Sequence, residues 1–246
     1  LEEDTGKLTH VDGQSGSYSL VDLNRAGVPL LEIVTEPDLH SAEEVRSYAT
    51  ALRSLLRYLG VNSGDMQKGV MRIEPNISVR PLGGSELGTR TEIKNLNSFR
   101  ALERGVEYEI QRQVALLRRG ERVRQETVGW DDLRGVTFTQ RVKESEDDYR
   151  YFPEPDLPPL ALDPGWVEQV RLSLPELPIA RLHRFQAEYG LSAYDAEVLV
   201  AERLTADYYE QTLAAAADIS PKVIANWITG ELFALLNQAS LAIEAC

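Results

Sequence analysis

The amino-acid sequence predicts an α+β fold, with a mixed or antiparallel sheet and its helices in the first part and helices alone in the second. Three observations predict it. Apolar residues in the first half alternate with period two on short segments and with period 3.6 on long ones. The second half shows only the helical period. Between the halves, Pro153, Pro155, Pro158 and Pro159 fall within seven residues, which neither a helix interior nor a central strand accommodates. A first domain is therefore expected over 1–159 and a helical domain over 160–246, with the linker running to about Pro164.

Tyr18–Leu23 and Leu30–Val34 read as strands on either side of an Asn24-Arg25-Ala26-Gly27 turn. Ser41-Ala42-Glu43-Glu44 has the spacing of a capping box and opens a helix. Val45, Ala49, Leu52, Leu56 and Leu59 then share a face, and Gly60 stops it. Met71–Arg80 alternates over Ile73, Pro75, Ile77 and Val79 as a half-buried strand, with Pro75 pointing to an edge or a bulge. Glu92, Lys94 and, further on, Asn97 alternate with Ile93 on another strand. Phe99–Arg119 reads as a long amphipathic helix with a stripe of Leu102, Val106, Ile110, Val114 and Leu117, closed by Gly120. In the second half, Ser192 with Asp195 caps one helix. Ser220-Pro221 starts another, carrying Ile224, Trp227, Ile228, Leu232 and Leu235 at helical spacing.

The chain has 246 residues and a net charge of −13, from 26 Lys and Arg against 39 Asp and Glu. An acidic body argues against bulk capture of nucleic acid, although a local basic patch remains compatible with it. Residues 160–246 hold five of the cations and twelve of the acids, so 21 and 27 lie before them and the cations concentrate in the first half. No apolar run approaches the roughly 18 residues of a membrane span. The first residues, Leu1-Glu2-Glu3-Asp4-Thr5-Gly6-Lys7, lack the basic-then-apolar pattern of a secretory signal. One cysteine, Cys246, excludes an internal disulfide framework and a cysteine-based zinc site. A cytoplasmic protein is expected.

No G-x-x-x-x-G-K-[ST], G-x-G-x-x-G or G-x-S-x-G motif occurs, and His10, His40 and His183 form no cluster. Four polar clusters remain. Glu2-Glu3-Asp4-Thr5-Gly6-Lys7 reads as a solvated acidic turn, or as carboxylates and a lysine for Mg²⁺ and phosphate. Glu92 and Lys94 share a strand face that is either solvated or functional. Arg72, Glu74, Asn76, Ser78 and Arg80 put five polar residues on one face, too many for a core, so that face meets solvent or a ligand. Asp147–Asp156, aromatic and charged, suits a hinge or a binding edge.

Read in order, these segments resemble the GatB/GatE family, the kinase subunits of tRNA-dependent amidotransferases. The matching strings are Leu1–Lys7, Val21–Leu30, Ile33–Asp38, Asn76–Pro81, Glu92–Ser98 and Asp148–Pro159, then Leu174–Pro178, Tyr189–Asp195 and Ala225–Leu232. The resemblance covers nearly the whole chain. It implies an α+β cradle domain followed by a helical domain, with the first part of the cradle and a tRNA-contacting tail domain outside this sequence. It further implies ATP-dependent phosphorylation of the side-chain carboxylate of Glu-tRNA(Gln) or Asp-tRNA(Asn). Ammonia from a separate amidase subunit then displaces the phosphate, in a heterotrimer completed by a third, small subunit. ATP and Mg²⁺ are the implied cofactors. By motif position, Glu3 and Glu92 would be metal ligands and, with Lys94, catalytic residues; Lys7, Arg72 and Arg80 would contact phosphate or the acidic substrate. The family usually has Asp-Ala where this chain has Glu74-Pro75, which sets Glu74 apart from the pattern. The GatE branch inserts a further domain for which residues 157–175 leave no room, so the chain resembles the GatB branch.

Overall fold

A computed structural model describes residues 2–13, 16–142 and 158–246. Residues 153–157 of the expected linker and the cluster Asp147–Asp156 lie outside the described residues; 158–163 are exposed and carry no regular element before the next helix begins at Pro164. The chain divides into two compact units, 1–39 and 40–246.

In the first unit, β1 (Glu2–Glu3) pairs antiparallel with β4 (Pro29–Leu30), and β2 (Lys7–Gly13) pairs antiparallel with β3 (Gly16–Asp22) in a seven-residue register. The turn after β3 forms where the sequence puts it. Asp22 Oδ1 accepts from the Asn24 backbone N–H at 3.0 Å, an Asx turn, and Gly27 takes φ +82°. The second expected strand shortens: only Pro29 and Leu30 find a partner, and residues 31–34 stay outside any ladder.

In the second unit, a four-stranded sheet has the order β5 (Asn76–Ile77), β6 (Thr91–Lys94), β7 (Glu126–Asp131), β8 (Val136–Val142). The β6–β7 pair is parallel and the other two are antiparallel, so the expected mixed sheet is present. β7 and β8 form a hairpin around Asp132–Gly135 that the sequence pattern did not single out. Of the strand expected over Met71–Arg80, only Asn76 and Ile77 join the ladder. Pro75 has no N–H to give, and its carbonyl instead accepts from Ile93 N–H at 3.0 Å.

Both long helices form. Helix α1 (Ala42–Tyr58) is capped by Ser41, whose Oγ accepts from Glu44 N–H at 3.1 Å. Helix α2 (Phe99–Arg118) is capped by Ser98 in the same way, onto Ala101 N–H at 3.0 Å. Each ends with a left-handed glycine, Gly60 and Gly120, and the paired bonds of a Schellman motif. Val61 N–H reaches Leu56 O and Glu121 N–H reaches Leu116 O. Ala49, Ala101, Leu102 and Val106 pack with Ile77, Ile93, Val128 and Trp130 of the sheet. The predicted α2 stripe needs correcting at its C-terminal end: the buried positions are Glu109 and Gln113, while Leu117 is exposed. The reason is polar pairing. Arg112 grips Glu109 and Glu126 (2.7 and 3.2 Å), and Thr139 Oγ1 donates to Glu126 at 2.8 Å.

Helices α3 (Pro164–Ser173), α4 (Pro178–Tyr189), α5 (Ala193–Val200), α6 (Arg203–Ala215), α7 (Pro221–Trp227) and α8 (Phe233–Ala239) make up the rest. A π-helical turn over Ile228–Leu232 joins α7 to α8, and a short 3₁₀ turn covers Ile243–Ala245. Ser192 caps α5 as expected, accepting from Asp195 N–H at 3.1 Å. Phe185, Leu199, Tyr209, Ile224 and Ile228 form the core of this bundle. Of the residues at that helical spacing, Ile224 and Ile228 are buried, whereas Trp227 is more than half exposed, and so is Leu235, which lies beyond the π turn that shifts the helix phase. The fold class is α+β, as predicted.

Candidate functional site

The strand β6 and the turn after it are built residue by residue from Glu92-Ile93-Lys94-Asn95-Leu96-Asn97-Ser98. Thr91 and Ile93 point into the core beneath α2, so Glu92 and Lys94 point to the opposite face of the sheet. Asn95 takes φ +66°, a left-handed conformation that asparagine tolerates, and this ends the strand. Asn97, expected to continue the face, therefore does not. Leu96 returns to the core and Ser98 caps α2.

The face opposite α2 carries the polar groups. Glu92 sits in register between Asn76 on β5 and Thr127 on β7. Thr127 Oγ1–H donates to Glu92 Oε2 at 2.9 Å. Lys94 Nζ lies 3.5 Å from Glu92 Oε1 and 3.1 Å from Glu74 Oε2. Burial pulls the Lys94 ammonium down, but the Glu74 and Glu92 carboxylates outweigh it and hold Lys94 above its ordinary value. The amine is therefore a fixed positive charge at neutral pH. Across from Lys94 in the ladder, Gly129 is covered by the Phe138 ring and the Gln140 side chain: a Cβ there would lie 2.5 Å from both, so only glycine lets them close over it. Glu92 is mostly covered, with 12% of its side chain exposed, whereas Lys94 and Glu74 are exposed by 39% and 37%.

Arg72, Glu74 and Asn76 are exposed while Met71 and Ile77 are buried, so that part of the predicted polar face holds although the strand does not extend there. Arg80 Nη1 donates to the Ser85 carbonyl at 3.2 Å. Glu74, set apart by its departure from the family pattern, is drawn into the cluster by Lys94. Thr127 and Gly129 were missed. The alternation of Thr127, Val128 and Trp130 ahead of an Asp-Asp-Leu-Arg-Gly turn was the signal that could have found them.

In the unit 1–39, Glu3 is exposed and in register with Pro29. A Cβ on Gly27 would meet Glu3 Oε1 at 3.4 Å, so the carboxylate lies over the glycine of the Asn-Arg-Ala-Gly turn. Arg25 Nη2 pairs with Asp4 Oδ2 at 2.7 Å, and Asp4 and Gly27 are joined by a backbone hydrogen bond across the turn. The motifs Leu1–Lys7 and Val21–Leu30 therefore fold on one another, which spacing alone did not reveal. The Lys7 side chain lies outside the described ones.

Among the described residues no three His, Cys, Asp or Glu side chains come together as a metal cage. Mg²⁺ does not require one: it takes one or two carboxylates and completes its shell with water and phosphate oxygens. Glu92 and Glu74 are hard oxygen donors of that kind, and Lys94 supplies the cation that a phosphate would need beside them. The face fits Mg²⁺ with a phosphate ester.

Residues 1–168 match the family model described as the GatB/GatE catalytic domain. Several curated relatives are named as the B subunit of aspartyl/glutamyl-tRNA(Asn/Gln) amidotransferase. That of Moorella thermoacetica is 55% identical over 241 residues, covering 98% of this chain and 50% of the relative. That of Roseiflexus sp. is 55% identical, covering 97% and 49%, and that of Carboxydothermus hydrogenoformans is 51% identical, covering 100% and 51%. The chain spans about half the length of the curated relatives it matches. With most of its length matched by that model, the chain belongs to the GatB/GatE family.

Proposed function

We propose that this chain is the kinase part of the B subunit of a tRNA-dependent amidotransferase, a ligase with glutamine as amide donor. Its substrates would be Glu-tRNA(Gln) or Asp-tRNA(Asn), matching the names its relatives carry. The γ-phosphoryl group of ATP passes to the side-chain carboxylate with release of ADP. Ammonia from the amidase subunit, in a heterotrimer with a third, small subunit, then displaces phosphate to leave the amide. The reading carries with it a cytoplasmic site of action, where aminoacylated tRNA is made; no helix among the described residues is long and apolar enough to cross a membrane. A cradle over 1–159 and a helical domain over 160–246 remain the proposed division.

The observation that carries the proposal is the open sheet face of Glu92, Lys94 and Glu74 beside Thr127. Phosphoryl transfer depends on positioning and on charge stabilisation more than on covalent help from the protein. Lys94 offers its ammonium to phosphate oxygens, and its two carboxylate neighbours favour the protonated amine. Thr127 fixes one oxygen of Glu92, leaving the other turned toward Lys94 and the open face. Glu92 and Glu74 are the groups in this unit that would hold Mg²⁺, and the family motif gives Glu3 the same duty. Bound there, Mg²⁺ would neutralise charge on the transferred phosphoryl group. Arg72 and Arg80 flank the same segment as proposed phosphate or substrate contacts, with Lys7 proposed likewise by motif.

Glu92→Gln in the complete enzyme tests this. The change keeps size and the Thr127 hydrogen bond but removes a negative charge from the ion's shell. Removing a metal ligand costs several kcal/mol in the transition state, so tRNA-dependent phosphate release should fall by at least about a hundredfold. Glutaminase activity of the partner subunit should persist. Near-normal phosphate release would return this face to a solvated surface and the chain to a scaffold.

A further inference from the structure

The turn between α2 and β7 concentrates positive charge on an acidic molecule. Residues 112–124 contain Arg112, Arg118, Arg119, Arg122 and Arg124 against the single acid Glu121, as many cations as all of residues 160–246. Arg112 is spent on the buried Glu109 and Glu126. The other four are exposed. Glu121 is taken by Arg119 at 2.6 Å, while Arg118, Arg122 and Arg124 engage no acid among the described residues.

The backbone that carries them is held. Gly120 in the left-handed conformation closes α2 with bonds from Gly120 N–H to Leu117 O and from Glu121 N–H to Leu116 O, both 3.0 Å. Leu116, Glu121, Arg122, Val123 and Arg124 line a depression of about 680 Å³. Guanidinium forks on a fixed turn, with apolar side chains between them, suit a phosphodiester backbone better than a lone carboxylate. The fork matches phosphate oxygens two at a time, and Leu116 and Val123 offer apolar surface to the sugar or base between them. The location bears on the reaction. Arg124 stands three residues before Thr127, the partner of Glu92, so their Cα atoms are at most about 11 Å apart.

We infer that Arg118, Arg122 and Arg124 form a contact for the phosphate backbone of RNA, seating the strand whose end is presented to the Glu92–Lys94 face. The inference rests on the reading that tRNA is the substrate. It also answers the net charge of −13: a polyanion is met at one local patch and not by the whole body.

The test is equilibrium binding of Glu-tRNA(Gln) to the complete enzyme across a salt series, for wild type, Arg122→Glu/Arg124→Glu and Arg122→Lys/Arg124→Lys. Each phosphate contact adds close to one to the slope of log affinity against log salt. The glutamate pair should weaken binding at least tenfold near 0.1 M salt and reduce that slope by about two, whereas the lysine pair, which keeps the charge, should hold the slope. An unchanged affinity and slope in the glutamate variant would overturn the inference. So would a glutamate variant that assembles poorly with its partner subunits but whose assembled fraction binds tRNA with wild-type affinity and slope, which would assign the surface to a protein. Wild-type enzyme unable to bind the tRNA would overturn the functional reading together with this one.

Discussion

Two ionic clusters in the 40–246 unit, one on the sheet and one in the helical bundle, are built from the same residue types and differ in how fully they are satisfied. In the bundle, Arg181 is 7% exposed in its side chain, stacks 5.6 Å above Phe185, and pairs with Asp207 and Glu210, each at 2.6 Å. Arg184 holds Glu176 at 2.6 Å and Glu210 at 2.7 Å, and Tyr189 O–H donates to Glu210 at 2.9 Å. Burial pushes the Tyr58 phenol of α1 up to about 12, with the Arg181 guanidinium pulling the other way, so this network also reaches α1. On the sheet, Lys94 meets two carboxylates, the farther at 3.5 Å, and the group lies at an open surface. A saturated network has nothing left to offer a ligand. A looser one at a surface does, which is why the sheet and not the bundle is the candidate site although the bundle has the stronger pairs.

The largest effect that would break this contrast is on the bundle. Arg181→Met should destabilise the chain by about 3 kcal/mol, the low end for losing a buried ion-pair partner, because Asp207 and Glu210 retain Arg203 and Arg184. Denaturant unfolding measures it, and a loss within about 0.5 kcal/mol would mean that the network is dispensable.

A smaller effect sharpens the comparison through pH. Burial alone would raise Glu210, but Arg184, Arg181 and Tyr189 reverse this and bring it from 4.5 down to about 2. A carboxylate lowered on folding contributes stability that is complete above its unfolded value and is lost as pH falls through the folded one. The window is therefore roughly pH 4.5 to 2, and the contribution roughly 2 kcal/mol after allowing for partial exposure. Glu210→Gln should be less stable than wild type by about that amount at pH 7, with the gap closing toward pH 2. A gap independent of pH would show that packing, not charge, makes the difference.

The smallest effect belongs to the open face. Glu92→Gln should change unfolding free energy by less than about 1 kcal/mol, since Thr127 keeps an acceptor and Lys94 keeps Glu74. The same substitution is expected to cost far more in phosphate release, and that disproportion would mark a functional group. A stability loss rivalling that of Arg181→Met would make Glu92 structural.

The helices were legible in the sequence because their signals are local. Ser41 caps, Gly60 and Gly120 stop, and apolar positions recur within one turn, all inside windows of a few residues. Glu92 and Lys94 were legible as a pair on one strand face for the same reason: period two is a local property. The partners of that face were not. Glu74, Thr127 and Gly129 reach it from 18, 35 and 37 positions along the chain, through one antiparallel and one parallel pairing whose register depends on the whole sheet. The tertiary structure likewise decided that α2 buries Glu109 and Gln113 in place of Leu117, and that Trp227 and Leu235 face outward across a π turn. Sequence alone determined which segments are helical and which charges share a strand. Only the folded sheet determined which acid meets Lys94, because hydrogen-bond ladders join residues that no local window contains.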